Sequence, residues 1–65
     1  MKKGSWRNGK RVITGWWNYH WASDAFVIIL DQKDRITGDN KRILVKGETP
    51  EWGNWSFVRE KQERL

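Results

Sequence analysis

Six tryptophans, one tyrosine and two phenylalanines lie within a chain of only 65 residues that has no cysteine. A domain of this size buries only about 60% of the surface that its unfolded chain exposes, so small domains often need a disulfide, a metal or a partner. Disulfides are excluded here, and with a single histidine a zinc site would need mostly carboxylate ligands, which is poor zinc chemistry. The aromatic rings must therefore supply much of the core.

The aromatic rings exceed what one small core can hold. A fully buried aromatic side chain removes about 150–250 Å² from water, which is worth about 4–6 kcal/mol gross per ring. Three or four such rings, with the aliphatic side chains of residues 12–13, 27–30 and 43–45, are enough to hold the domain together. We therefore expect two or three of the nine rings to stay partly exposed, where they can bind a partner or bury each other in a homodimer.

The clearest secondary-structure signal is a period-two alternation from residue 11 to residue 21. Aromatic and β-branched side chains in such a pattern predict a strand. Its apolar side, which includes Trp17 and Trp21, is expected to face the core. Trp16 falls on the more polar side. Before this strand, the dipeptide Asn8-Gly9 predicts a type I′ turn and hence an N-terminal hairpin whose first strand ends near Arg7.

Further strands are predicted over residues 25–31, 41–46 and 55–60, with a helix as the alternative for 55–65. Thr49, Pro50 and Glu51 predict one helical turn before the last strand. Four to five short strands predict a mainly β fold, a small antiparallel barrel or sandwich of SH3-like or OB-like type. We expect a single β domain over 1–65, with a basic hairpin arm (1–11) and a frayed end (61–65).

Positive charge is concentrated at the N-terminus. The net charge is +5, and five cationic residues lie among the first eleven without an acid, whereas residues 12–65 carry eight basic and eight acidic residues. Basic arms serve anionic partners, most often nucleic acid, although a solubilising tail has the same composition. Trp6 and Trp16 are the rings nearest to these charges, and single-strand binders stack bases on such rings.

The sequence therefore predicts a nucleic-acid-binding surface centred on the N-terminal hairpin. Lys46 would extend it, although Asp39 and Glu48 dilute the charge there. The candidate binding residues are Lys2, Lys3, Trp6, Arg7, Lys10, Arg11, Trp16, Lys41 and Arg42. The alternative is a protein-interaction module, an inhibitor or accessory factor of phage or mobile-element type, which binds a host protein through exposed Trp and Arg residues.

No residue pattern predicts an enzyme. His20, Ser23 and Asp24 have triad chemistry, but three residues in one turn rarely reach triad geometry, and a polar turn explains them better. Aspartates at 31, 34 and 39 lack the ligand order of a calcium loop and alternate with cations. We therefore expect no catalytic residue, no metal ligand and no cofactor.

The segment after Met1 is polar, and the longest apolar run is Ala25 to Leu30. Neither a signal peptide nor a membrane span is predicted from these features. Together with the absence of cysteine, they predict a cytoplasmic protein without a membrane partner.

Overall fold

The computed structural model describes residues 1–58, and they form one antiparallel sheet in the order β4-β3-β2-β1-β5 without a helix. The strands are β1 (Lys2–Asn8), β2 (Arg11–His20), β3 (Ala25–Lys33), β4 (Asn40–Lys46) and β5 (Ser56–Phe57). The predicted mainly β fold is thus confirmed. The strand predicted from residue 55 is present as the two-residue β5, so the alternative helix is wrong over residues 55–58, and Val58 already lies beyond the strand. The rest of the predicted strand or helix and the frayed end at 61–65 lie outside the described residues.

The sheet is not closed into a barrel within residues 1–58. β4 pairs only with β3, and β5 pairs only with β1, so the two ends of the sheet are not joined to each other. A single sheet also replaces the two sheets of a sandwich.

The first hairpin is present, but its turn lies one residue later than the Asn-Gly pattern predicts. Asn8 pairs with Arg11, so the two-residue loop is Gly9-Lys10. Gly9 has a φ of 64°, whereas Lys10 is absent from the positive-φ residues of the described chain. A positive φ at the first loop position alone defines a type II′ turn, which replaces the predicted type I′ turn.

Residues 47–55 cross one face of the sheet and cover it. Pro50 of this segment is buried, and its carbonyl oxygen accepts a hydrogen bond of 2.6 Å from the indole nitrogen of Trp6. The helical turn predicted at residues 49–51 is wrong, because Glu51 is used differently. Its carboxylate accepts a hydrogen bond of 2.9 Å from the backbone N–H of Phe57, which ties the crossing segment to β5.

The core lies between the sheet and this crossing segment. Trp6 and Ile28 are completely buried there. Seven aromatic rings form a continuous chain of contacts with centroid distances of 5.1–6.4 Å. In order of contact they are Trp55, Trp52, Trp6, Phe57, Trp17, Phe26 and Tyr19. The aromatic residues thus hold the crossing segment on the sheet, as their number in the sequence indicates.

Gly4 lets the rings of Trp17 and Phe57 lie directly on the backbone of β1. Gly4 and Gly15 face each other across β1 and β2. A Cβ added to Gly4 would lie 2.9 Å from ring carbons of both Phe57 and Trp17. The missing side chain therefore makes room for two rings of the core.

Candidate nucleic-acid interface

The sheet has a second face, which the crossing segment does not cover. Side chains alternate between the faces along a strand, and directly paired residues of antiparallel neighbours share a face. Trp6 pairs with Ile13 on the covered face, whereas Lys3 pairs with Trp16 on the other face. We call this second face the open face. Val12 and Leu44, which lie on it, are large apolar side chains that remain exposed.

One row of paired residues crosses the middle of the open face. Lys3 of β1 pairs with Trp16 of β2, Trp16 pairs with Ile29 of β3, and Ile29 pairs with Arg42 of β4. The Lys3 ammonium lies 5.8 Å from the centroid of the Trp16 ring, which is a cation–π contact. The row thus places an exposed indole between two cationic side chains.

Cationic side chains lie on both flanks of the open face. β1 contributes Lys3 and Arg7, and β4 contributes Arg42 and Lys46, with each pair four residues apart on its strand. Three strand spacings of about 4.8 Å separate β1 from β4, so the two cationic flanks are about 14 Å apart. The strand residues assigned to this face include a single carboxylate, Asp31, which accepts a hydrogen bond of 2.6 Å from Thr14. The open face is therefore strongly cationic.

The middle of the open face is formed by β2 and β3, and residues 14–18 and 27–29 there include no lysine or arginine; Lys33 lies at the far end of β3, where it pairs with Asn40. β3 contributes Val27 and Ile29, which are half-buried. β2 contributes the exposed polar side chains of Thr14 and Asn18 on either side of Trp16. An apolar and hydrogen-bonding band therefore separates the two cationic flanks.

Four of the predicted binding residues come together on the open face, namely Lys3, Arg7, Trp16 and Arg42. The exposure predicted for Trp16 is confirmed, with 41% of its surface accessible. Lys46, which the sequence indicated only as an extension, joins this group because it shares the parity of Arg42 in β4.

The other predicted binding residues lie elsewhere. Lys2 and Arg11 alternate onto the covered face, where they lie 5.3 Å and 5.7 Å from the ring centroids of Trp17 and Trp55. Lys10 lies in the hairpin turn, and Lys41 alternates away from the open face. The N-terminal hairpin therefore does not present its charges as one surface.

Trp6 cannot belong to a binding surface, because its exposure is 0%. Its ring contacts Trp52 and Phe57 at centroid distances of 5.6 and 5.7 Å. Trp21, predicted to face the core, is instead 82% exposed in the loop after β2. The strand ends at His20, one residue too early for the alternation to bury Trp21. The most exposed rings are Trp16, Tyr19 and Trp21. Four more rings are half-buried, so more than the predicted two or three stay partly exposed; they are Trp17, Trp52, Trp55 and Phe57.

Near the β2–β3 loop, the side chains of His20 and Asp24 form hydrogen bonds with different partners. His20 Nδ1 and Ser23 Oγ lie 2.7 Å apart. The Asp24 carboxylate instead accepts a hydrogen bond from the hydroxyl of Tyr19. This bond, followed by desolvation and the negative charge of Asp24, raises the pKa of Tyr19 above its ordinary value. The carboxylate is thus engaged by a phenol and not by the histidine.

The β3–β4 loop uses its aspartate to organise its own backbone. Asp34 Oδ1 accepts hydrogen bonds from the backbone N–H groups of Ile36 and Thr37 at 2.8 and 3.1 Å. These bonds, with a smaller contribution from Lys41, hold the pKa of Asp34 below its ordinary value. Between residues 1 and 58, three or more histidine and acidic side chains are nowhere grouped so that they could hold a metal ion.

No protein-family model matches the sequence, and comparison with curated proteins and with solved structures gives no significant match. In the part of the chain that the structure describes, no helix is long and apolar enough to cross a membrane.

Proposed function

We propose that this chain binds nucleic acid through its open face and acts without catalysis or a cofactor. The observation that carries the proposal is the row of Lys3, Trp16, Ile29 and Arg42, which places an exposed indole between two cations. Lysine and arginine provide phosphate contacts, and an aromatic face provides a stacking platform for a base. Arg7 and Lys46 extend the cationic flanks along the strands.

Charge location supports the open face over the rest of the surface. Its four cationic flank residues face one carboxylate, which is already hydrogen-bonded to Thr14. By contrast, the crossing segment and its flanks carry Glu48 and Glu51 beside the covered face. A polyanion therefore meets the least repulsion on the open face.

The test compares two double variants that remove the same charge from opposite faces. Lys3→Ala/Arg42→Ala removes one cation from each flank of the open face. Lys2→Ala/Lys41→Ala removes two cations at the adjacent positions, whose side chains alternate to the other side of the sheet. Fluorescein-labelled oligonucleotides are titrated with each protein by fluorescence anisotropy at two or more salt concentrations.

Four phosphate contacts predict a slope of about −2.8 for the logarithm of the binding constant against the logarithm of the salt concentration on a single strand. We expect the slope of Lys3→Ala/Arg42→Ala to fall to about −1.4, since each contact contributes about −0.7. The control variant should keep the slope of the unmodified protein. Absence of binding at low salt would overturn the proposal, and equal losses in both variants would show that the open face is not the site.

Trp21 is the observation that favours the alternative of a protein partner. Its side chain is 82% exposed and contacts no other aromatic ring among the described residues. Tryptophan is enriched in the hot spots of protein interfaces. If oligonucleotides do not bind, pull-downs from nuclease-treated lysate with the unmodified protein and with Trp21→Ala test this alternative. A specific partner lost with Trp21→Ala would support it, and identical recovery by both proteins would refute it.

A further inference from the structure

We infer that the nucleic acid bound by the open face is single-stranded and that one base stacks on Trp16. The inference depends on the proposed function and specifies its ligand. It begins from the fact that Trp16 is the one aromatic side chain of strands β1 to β4 that the register places on the open face. The other two exposed rings lie elsewhere, Tyr19 on the covered face and Trp21 in a loop.

The arrangement of charges suits a nucleic-acid single strand whose phosphates lie to one side of its bases. The cationic flanks on β1 and β4 are about 14 Å apart, and Trp16 lies between them on β2. A single strand can place its phosphates on a flank and turn an unpaired base toward the middle of the face. The polar side chains of Thr14 and Asn18 lie on either side of Trp16 in the same strand and can hydrogen-bond the edge of such a base.

A duplex can use only part of this surface. Its base faces are hidden within the stack, so that Trp16 has no plane to contact. The open face is formed by strands of one sheet, and the described residues include no helix that could enter a groove. A duplex would meet the cations while pressing its hydrated phosphates against exposed apolar side chains such as Leu44. The open face therefore discriminates against paired nucleic acid.

Lys3 has two uses in this arrangement. In the free protein its ammonium lies over the Trp16 ring at 5.8 Å from the centroid. The contact is exposed and is weaker than a base stacked on the same ring. An incoming base displaces the ammonium from the ring, and the released side chain binds a neighbouring phosphate. The same residue thus shields the indole before binding and supplies a cation afterwards.

The test measures binding of a short mixed-sequence oligonucleotide and of the same oligonucleotide annealed to its complement. The strands are prepared as DNA and as RNA, and tight binding of either single strand supports the inference. The variants are Trp16→Leu, which removes the π-face, and Trp16→Phe, which retains one. Trp21→Leu is the matched control for a tryptophan that is exposed off the open face. Far-UV circular dichroism verifies that each variant is folded.

We expect the single strand to bind at least tenfold more tightly than the duplex. Trp16→Leu should weaken single-strand binding by about 5- to 140-fold, which corresponds to 1–3 kcal/mol at about 1.4 kcal/mol per factor of ten. Its salt slope should not change, because no phosphate contact is lost. Trp16→Phe should retain most of the affinity, and Trp21→Leu should retain all of it.

Two failures are distinguishable. Equal binding of single strand and duplex, with no loss in Trp16→Leu, would overturn this inference while leaving the proposed function intact, provided that Lys3→Ala/Arg42→Ala still weakens binding. Absence of binding to either form at low salt would overturn both.

Discussion

Trp6 should be the most sensitive position of this fold, although it lies in the most basic part of the chain. It is completely buried, its ring contacts Trp52 and Phe57, and its indole N–H donates to the Pro50 carbonyl at 2.6 Å. Truncation of a buried tryptophan to alanine costs about 3–5 kcal/mol. A chain of 65 residues has a total stability of about 3–10 kcal/mol at about 0.05–0.15 kcal/mol per residue. Trp6→Ala should therefore remove about a third of the stability or more.

A graded variant keeps the prediction measurable if Trp6→Ala does not fold. Trp6→Phe retains a ring but leaves the buried Pro50 carbonyl without its donor, which costs about 1–3 kcal/mol. Trp16→Ala is the control on the open face, where a cross-strand contact is worth about 0.2–1 kcal/mol. Trp21→Ala is the control for a loop position, with an expected change within about 0.5 kcal/mol.

The assay is urea unfolding followed by far-UV circular dichroism, which does not depend on the fluorescence of the substituted ring. At an m-value of about 1 kcal/mol per molar urea, the midpoint of Trp6→Ala should fall by about 3 M or more. Trp21→Ala should keep its midpoint within about 0.5 M. If both variants unfolded at the same urea concentration, Trp6 would not be buried under the crossing segment, and the division of the rings between two faces would be wrong.

Three further substitutions and titrations test local features. Gly15→Ala should destabilise the fold by about 1–3 kcal/mol in the same assay, because the new Cβ would lie 2.5 Å from the Ile29 carbonyl oxygen. The single tyrosine, Tyr19, should show tyrosinate absorbance only above the ordinary tyrosine pKa of 10.0, and Asp24→Asn should lower the pKa of Tyr19. The hydrogen bond stabilises the fold below the unfolded-state pKa of Tyr19, and this stabilisation is lost as pH rises through the pKa of the folded state. Asp34 should titrate below 3.8 in carboxyl-carbon NMR, so its contribution is present above the unfolded-state pKa and is lost as pH falls through the folded value.

The position of Trp6 could have been predicted from the sequence. A two-residue hairpin loop at either Asn8-Gly9 or Gly9-Lys10 places Trp6 opposite Arg11 or Ile13, and those two residues lie on the same side of β2. That side is the one predicted to face the core. The surface position predicted for Trp6 relies instead on the charged residues beside it in the chain. Sequence neighbours within a strand point to opposite faces, so these charges do not indicate the face on which Trp6 lies.

The choice between the two turns depends on contacts that local propensity does not include. The Asn-Gly turn would pair Gly4 with Ile13, whereas the observed turn pairs Gly4 with Gly15. Only the observed pairing places Gly4, which lies against the rings of Trp17 and Phe57, opposite Gly15, which lies against the backbone of Ile29 and Leu30. Packing of the core therefore outweighs the preference of Asn-Gly for a type I′ turn.

The proposed binding surface is harder to predict than the fold because it combines strands that are distant in the sequence. Alternation alone places Trp16 on the outer side of β2, and this was predicted. Alternation does not reveal that Lys3 of β1 and Arg42 of β4 lie in one row with Trp16, because this row depends on how β1, β3 and β4 are registered in the sheet. The sequence indicates Lys46 only as an extension of the surface for the same reason. Its place on the same face as Lys3 and Arg7 exists only in the assembled sheet.

One face of the sheet is open because only one of the described segments packs over the sheet. One sheet has two faces, and the described residues provide one crossing segment, which uses Trp52 and Trp55 to cover the face of Trp6. Within residues 1–58 no second segment packs over the other face, so its side chains do not fill a core there. A solvated face has no packing need for a tryptophan between two cations, and a solubilising tail does not require cations aligned on two separate strands. We therefore propose a polyanionic ligand, rather than stability, as the reason for their alignment on β1 and β4 around Trp16.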